Sequence, residues 1–421
     1  MRFRSLTPLF IGLLVVWAKE DESMETNDEE EVDETDDNQF VQLYKKFKPA
    51  LALSNSVSLE EWTKALPNEN EKNEMMQVHW SSDHKYNHLI ATLYPMKNFS
   101  GVDLAMFKRM FPNLSKTVNL TVIDNLYCVI HEPFEETPNY KFPRFFGFAV
   151  ITAEAAVRTR LHHSASHYQT DGPVCLQASA LYGSTGSKSL VIAGASRYAV
   201  KGFAFLFELI HQLRCSKHLS ACQSKESIAD ASHNTDLMFH IINVALLQAA
   251  RNSTRNESGG LKDSFIQWHG MAETSCANST AFISVGVRGN HSIYNNENTL
   301  ANKLKSAVNS IAGSDFAQTP RTDTKCTLRA TTNVFGRLIN DVPLGDECEK
   351  TADSNDINGN FLHIEQKQVS RRNLTLWENA FDVISSAEKP KNGGNDKSVG
   401  SHLTSAFVYT FLTVVGLLAI I

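Results

Sequence analysis

Leu190-Val191-Ile192-Ala193-Gly194-Ala195-Ser196-Arg197 is a short apolar run that stops on a glycine and delivers an arginine. Its apolar residues do not alternate with polar ones, so it reads as a strand buried on both faces. Runs of the same kind flank it. Leu120 to His131 and Phe145 to Thr152 are rich in Val, Ile and Phe, and Phe265 to Trp268 and Ala281 to Val287 repeat the pattern. Between them, Leu237, Phe239, Ile241, Val244, Leu246 and Leu247 fall at helical spacing within Ser232 to Arg251. Strands alternating with helices predict an α/β fold whose central sheet is mostly parallel or mixed, with helices on both faces. Residues 40–120 read as a mixed, partly helical N-terminal extension, with Ser58 ahead of Leu59-Glu60-Glu61-Trp62 as a helix start. The fold core is expected at about residues 120–345 of a globular body spanning 40–388.

The ends carry a different message. Arg2 and Arg4 precede an apolar run from Leu6 to Trp17 and a small residue, Ala18, which together predict a signal peptide over residues 1–18. Residues 19–39 hold twelve acids against Lys19 with no apolar period, and read as a disordered acidic segment. At the other end, residues 389–402 form a polar linker and residues 403–421 an uncharged hydrophobic tail. Small residues, a polar spacer and such a tail match a GPI-attachment signal, with Asn392, Gly393 and Gly394 as attachment candidates. A single C-terminal transmembrane segment is the alternative. Eight sequons, at Asn98, Asn113, Asn119, Asn252, Asn256, Asn278, Asn290 and Asn373, suit a glycoprotein on the outer face of the plasma membrane.

Seven cysteines in that compartment predict disulfides. Cys215 with Cys222 and Cys326 with Cys348 are the pairs nearest in sequence, leaving Cys128, Cys175 and Cys276. The formal charge of −6 belongs to the acidic segment: without its twelve acids, Lys19, Arg2 and Arg4, residues 38–421 carry +3. A near-neutral body offers no broad basic field for nucleic acid.

Ligands of open α/β sheets sit beyond the carboxyl ends of the strands, and three polar clusters lie where that rule points. His162, His163, His167 and Asp171 supply three imidazoles and a carboxylate within one short segment. Gly172-Pro173 argues for a turn there, from whose two sides His167 and Asp171 can converge on a metal. Gln267-Trp268-His269-Gly270 follows a buried run, with Glu273 as a candidate general base for activating water. Asp230 to Asp236 opens a helical segment and places His233 near its start, while Arg197 offers a bidentate partner for a substrate carboxylate. Gly183 to Ser189 lacks the spacing of a phosphate loop and reads as a turn.

The order of these segments resembles the zinc carboxypeptidase-like fold, and within it the N-formylglutamate amidohydrolase branch. The likeness covers about residues 145–287. It implies a central sheet with zinc held at strand ends by two histidines and a carboxylate, and cleavage of amide bonds near a free carboxylate. On this chain it implies His167 and His269 as zinc ligands, Arg197 as carboxylate binder and Glu273 as water-activating base. The family's first His and Glu have two residues between them, whereas His167 and Asp171 have three. The carboxylate position therefore lies open between Asp171 and the alternates His163 and His233. The expected function is a surface-anchored hydrolase of amide or ester bonds, acting on a small amide or peptide. The alternative is a non-catalytic, membrane-tethered binding glycoprotein on the same fold.

Overall fold

A computed structural model describes residues 38–76, 88–201, 221–223, 226–253, 261–352, 355 and 357–388. The signal peptide, the acidic run through Asp37, Cys215, Asn256, the linker and the hydrophobic tail lie outside the described residues. By contacts the chain divides into Met1–Ile384 and Ser385–Ile421, and the second unit is described only for residues 385–388.

Among the described residues nine strands make one mixed sheet: β1 (Asn119–Ile123), β2 (Tyr127–His131), β3 (Phe148–Thr152), β4 (Leu161–Ala165), β5 (Ser189–Ile192), β6 (Ser264–Gly270), β7 (Ala281–Ser284), β8 (Ala317–Gln318) and β9 (Phe361–Gln366). Their spatial order is β1-β2-β3-β5-β4-β6-β9-β7-β8. The centre, β5-β4-β6-β9, is parallel, while β1, β2 and β3 join antiparallel and β7 runs antiparallel to β9. The expected α/β architecture is thus present in its mixed form.

Five helices precede the sheet or lead into it: α1 (Gln39–Phe47), α2 (Leu59–Ala65), α3 (Glu69–Met75), α4 (Leu89–Leu93) and α5 (Leu104–Met110). As read from sequence, Ser58 caps α2, in a reciprocal box with Glu61. Later come α6 (Val174–Thr185), α7 (Met238–Ser253), α8 (Leu300–Ala312), α9 (Val334–Ile339), α10 (Gln368–Arg371) and α11 (Leu374–Glu388). Two apolar cores form, one on each sheet face. One gathers α1, α6, α8 and α11; the other gathers α4, α7 and α9. α6 is buried from Val174 to Tyr182 because it is sandwiched between the sheet and α1, with the Phe40 and Tyr182 rings 4.6 Å apart. It ends on Gly186 in a left-handed cap at φ +59, which makes Gly183 to Ser189 a helix end and turn.

Several boundaries differ from expectation. Leu120 to His131 is a hairpin, broken at Asp124 and Asn125, whose φ values of +52 and +57 suit a turn between right-twisted strands. The helix expected from Ser232 begins at Met238, since Asp230 to Asp236 spends its backbone on local turns. The core also reaches past residues 120–345: Phe40, Leu362, Ile364 and Trp377 are all buried in it. The Trp268 and Trp377 rings meet edge-on at 5.1 Å across the face, and burying a side chain of this kind contributes about 1.5–3 kcal/mol.

Among the described residues two disulfides are present, Cys222–Cys348 and Cys276–Cys326. This overturns both expected pairings: Cys222 is taken by Cys348, and Cys326 by Cys276. Proximity in sequence misled because the folded chain joins partners 126 and 50 residues apart. Cys128 and Cys175 are buried and belong to neither of these disulfides. Persistent disulfides belong to an oxidising compartment. Among the described residues no helix is long and apolar enough to cross a membrane. Of the sequon asparagines, Asn98, Asn252, Asn278, Asn290 and Asn373 are exposed, whereas Asn113 and Asn119 are half-buried. Asn113 donates through Nδ2 to Glu74 at 2.6 Å.

Candidate metal centre

Three loops and one strand meet at the carboxyl ends of β4, β6 and β9. β4 hands over to a turn in which Gln169 (φ +73) and Gly172 (φ +67) bend the chain back, so that Asp171 returns to His167. A side chain at Gly172 would also run into Arg371 Nε, 2.8 Å from the place its Cβ would take. The His167–Asp171 pair is therefore closed by a turn, with Asp171 Oδ2 at 3.0 Å from His167 Nδ1. β6 ends in His269-Gly270. A Cβ on Gly270 would lie 2.4 Å from the Asp171 carbonyl, and its N–H donates to Asp171 Oδ2 at 3.1 Å. Glycine thus lets the two loops touch.

The ligand-type atoms converge as a triangle. His167 Nδ1 to Asp171 Oδ2 measures 3.0 Å, His269 Nδ1 to His167 Nδ1 3.1 Å, and His269 Nδ1 to Asp171 Oδ2 3.2 Å. Zinc bonds of about 2.0–2.1 Å in tetrahedral geometry separate any two ligand atoms by about 3.3 Å. The triangle is close to that, and all three residues are buried. Asp171, not His163 or His233, supplies the carboxylate.

The outer atoms of both rings are held. His269 Nε2 lies 2.9 Å from Gln267 Oε1, which also accepts from Asn333 and Ser232. A proton on Nε2 leaves the lone pair on Nδ1, facing the triangle. His167 Nε2 faces Asp230 Oδ1 at 3.0 Å. Carboxylate and amide partners of this kind fix the tautomer and orientation of metal-binding histidines.

The charges point the same way. Burial and Arg197 push the His167 pKa down, but Asp230 and Asp171 outweigh them and raise it to about 9. Burial lowers His269 to about 4. Burial opposes ionisation of Asp171 and Asp230, yet the charge of His167 keeps both well below the usual carboxylate range. The pocket is built to hold positive charge, and Arg197 provides some: its Nη2 rests against the His167 ring and 3.5 Å from Asp171 Oδ1.

Sequence reasoning missed β9. Its His363 and Glu365 sit beside Gln267 and His269 in parallel register, and the His363 and His269 rings lie 4.3 Å apart. His269, His363 and Glu365 form a second group able to hold a metal. Burial, then Asp171, raises the Glu365 pKa to about 8. The available signal was the His-x-Glu spacing, which puts both side chains on one strand face.

Two expected site residues lie elsewhere. His163 is a core histidine: strand alternation turns it away, between Ser187 Oγ at 3.0 Å and the Trp268 indole N–H at 3.0 Å. Glu273 is exposed, and its carboxylate accepts the Gln368 N–H at 2.8 Å, at the start of α10. It serves that helix end and is not a member of the buried triangle. His233 stands in a separate group with Glu226 and Asp230. Several His, Asp and Glu groups of this protein can thus hold a metal ion. No family profile, curated protein or solved structure matches this chain.

Proposed function

We propose that this chain is a zinc-dependent hydrolase of amide or ester bonds near a carboxylate, working at the outer face of the plasma membrane. The observation that carries the reading is the buried triangle of His167, Asp171 and His269 with Glu365 beside it. Two imidazole nitrogens and one carboxylate oxygen form a donor set suited to catalytic zinc. Zinc bound there would supply Lewis acidity toward the scissile carbonyl. Glu365 holds and moves the proton, because its environment favours the neutral acid that a departing amine needs. Arg197, 24 % exposed, binds the substrate carboxylate. His363 packs on His269 and keeps water out of that side.

A second reading has its own support. Arg197 Nη2 already stands among the ligand atoms of His167 and Asp171, so the guanidinium can act as a built-in cation in a metal-free binding glycoprotein. Zinc content combined with amine release from N-acyl amino acids separates the two. About stoichiometric zinc with hydrolysis supports the enzyme; a metal-free protein that hydrolyses none of them supports the binder.

A further inference from the structure

The polar groups around Asp230 are not exhausted by the triangle. Asp230 spends Oδ1 on His167 and on the Ser232 N–H at 2.9 Å, while its buried Oδ2 makes no hydrogen bond and stands 3.9 Å from Arg197 Nε. His233 Nε2 is held 3.3 Å from Thr332 Oγ1, and its Nδ1 faces Asp230 Oδ1 at 3.2 Å without hydrogen-bond geometry. Glu226 brings a carboxylate oxygen as the third ligand-type atom of the same group, all within 4.8 Å of one another. Two buried atoms at one spot whose charged neighbours give them no hydrogen bond leave room for a ligand that would complete both.

The turn that carries them is firmly built. Asp230 N–H donates to Ser227 O, His233 N–H to Asp230 O, and Cys222 N–H to His233 O. The Cys222–Cys348 disulfide ties this turn to the segment after α9. Ligands fixed by such a frame lose little entropy on binding.

We propose that Glu226, Asp230 and His233 bind a second divalent transition-metal ion, distinct from the one at His167, Asp171 and His269. One imidazole nitrogen with carboxylate oxygens suits zinc or manganese better than the softer ions that prefer thiolates. The proposal rests on the zinc reading only through Asp230, whose other oxygen orients His167.

The test is metal stoichiometry in the full chain, by mass spectrometry after dialysis against zinc or manganese in separate arms. The wild-type protein is expected to bind two equivalents in at least one arm. His233→Ala and Glu226→Gln should each fall to one, and His167→Ala/His269→Ala should keep the one lost by those variants. Circular dichroism identifies any variant that fails to fold, and the partly exposed Glu226 provides the milder change. A wild-type metal content at saturation that both His233→Ala and Glu226→Gln retain in full overturns the proposal, whether it is one equivalent or two. Loss of the zinc at the triangle alone, with a His233-dependent equivalent remaining, overturns the hydrolase reading and leaves the second site standing.

Discussion

Replacing Glu365 by Gln tests the chemistry more sharply than any ligand deletion. The substitution keeps the volume of the side chain and the β6–β9 pairing of His269 with residue 365. It removes a titratable group whose pKa burial raises to about 8 and that lies outside the His167–Asp171–His269 triangle. Proton transfer by a positioned side chain is worth about 10²–10⁴ in rate, or about 3–5 kcal/mol of barrier. The loss should fall on kcat, with zinc at the triangle unchanged. Glu273→Gln is the control. Its carboxylate is exposed and makes one hydrogen bond, to the Gln368 N–H, so activity should stay within about twofold, since no transition-state contact is removed. The assay is amine release from N-formyl and N-acetyl amino acids, run beside metal analysis. Glu365→Gln retaining more than about a tenth of wild-type kcat would refute the reasoning, and so would collapse of activity in Glu273→Gln.

Other consequences follow from the same structure. Replacing Cys276 and Cys326 together by Ser opens a loop of 50 residues and should cost about 4 kcal/mol on the chain-entropy account; urea unfolding measures it. The corresponding change at Cys222 and Cys348, 126 residues apart, should cost about 5 kcal/mol and also loosen the His233 turn. Burial raises the Glu132 pKa from 4.5 to about 7, against the opposing Phe146 and Arg144 N–H groups. Its contribution is therefore full below pH 4.5 and is lost as pH rises through 7, by about 3 kcal/mol. Urea unfolding at pH 5 and pH 8 should show that fall in wild type relative to Glu132→Gln. A Cβ at Gly194 would stand 2.3 Å from Phe145 O and Gly147 N, so Gly194→Ala should destabilise by about 1–3 kcal/mol in a melting experiment.

Long apolar runs made the sheet legible. Leu190 to Ile192 and Phe265 to Trp268 are buried on both faces, so they read as strands without knowledge of their neighbours. β4 was harder, because His162, His163 and Ser164 put polar atoms inside a buried strand, each satisfied by partners distant in sequence. β9 hid for a related reason: His363 and Glu365 alternate with apolar residues and mimic a half-exposed edge, yet the strand lies between β6 and β7. His167, Asp171 and His269 could be named because turn signals and strand ends bracket them. Their mutual geometry could not, since it depends on two glycines that let separate loops meet. Disulfide pairing was illegible for the same reason: it is set by the fold, not by spacing.

The account stands most directly on zinc analysis of the full chain, purified without chelators and soaked in zinc, beside its His167→Ala/His269→Ala variant. It predicts that the wild-type protein carries one more zinc equivalent than the folded double variant. Equal zinc in the two proteins, or none in the wild type after the soak, would contradict it and leave Arg197 as the cation of a binding site.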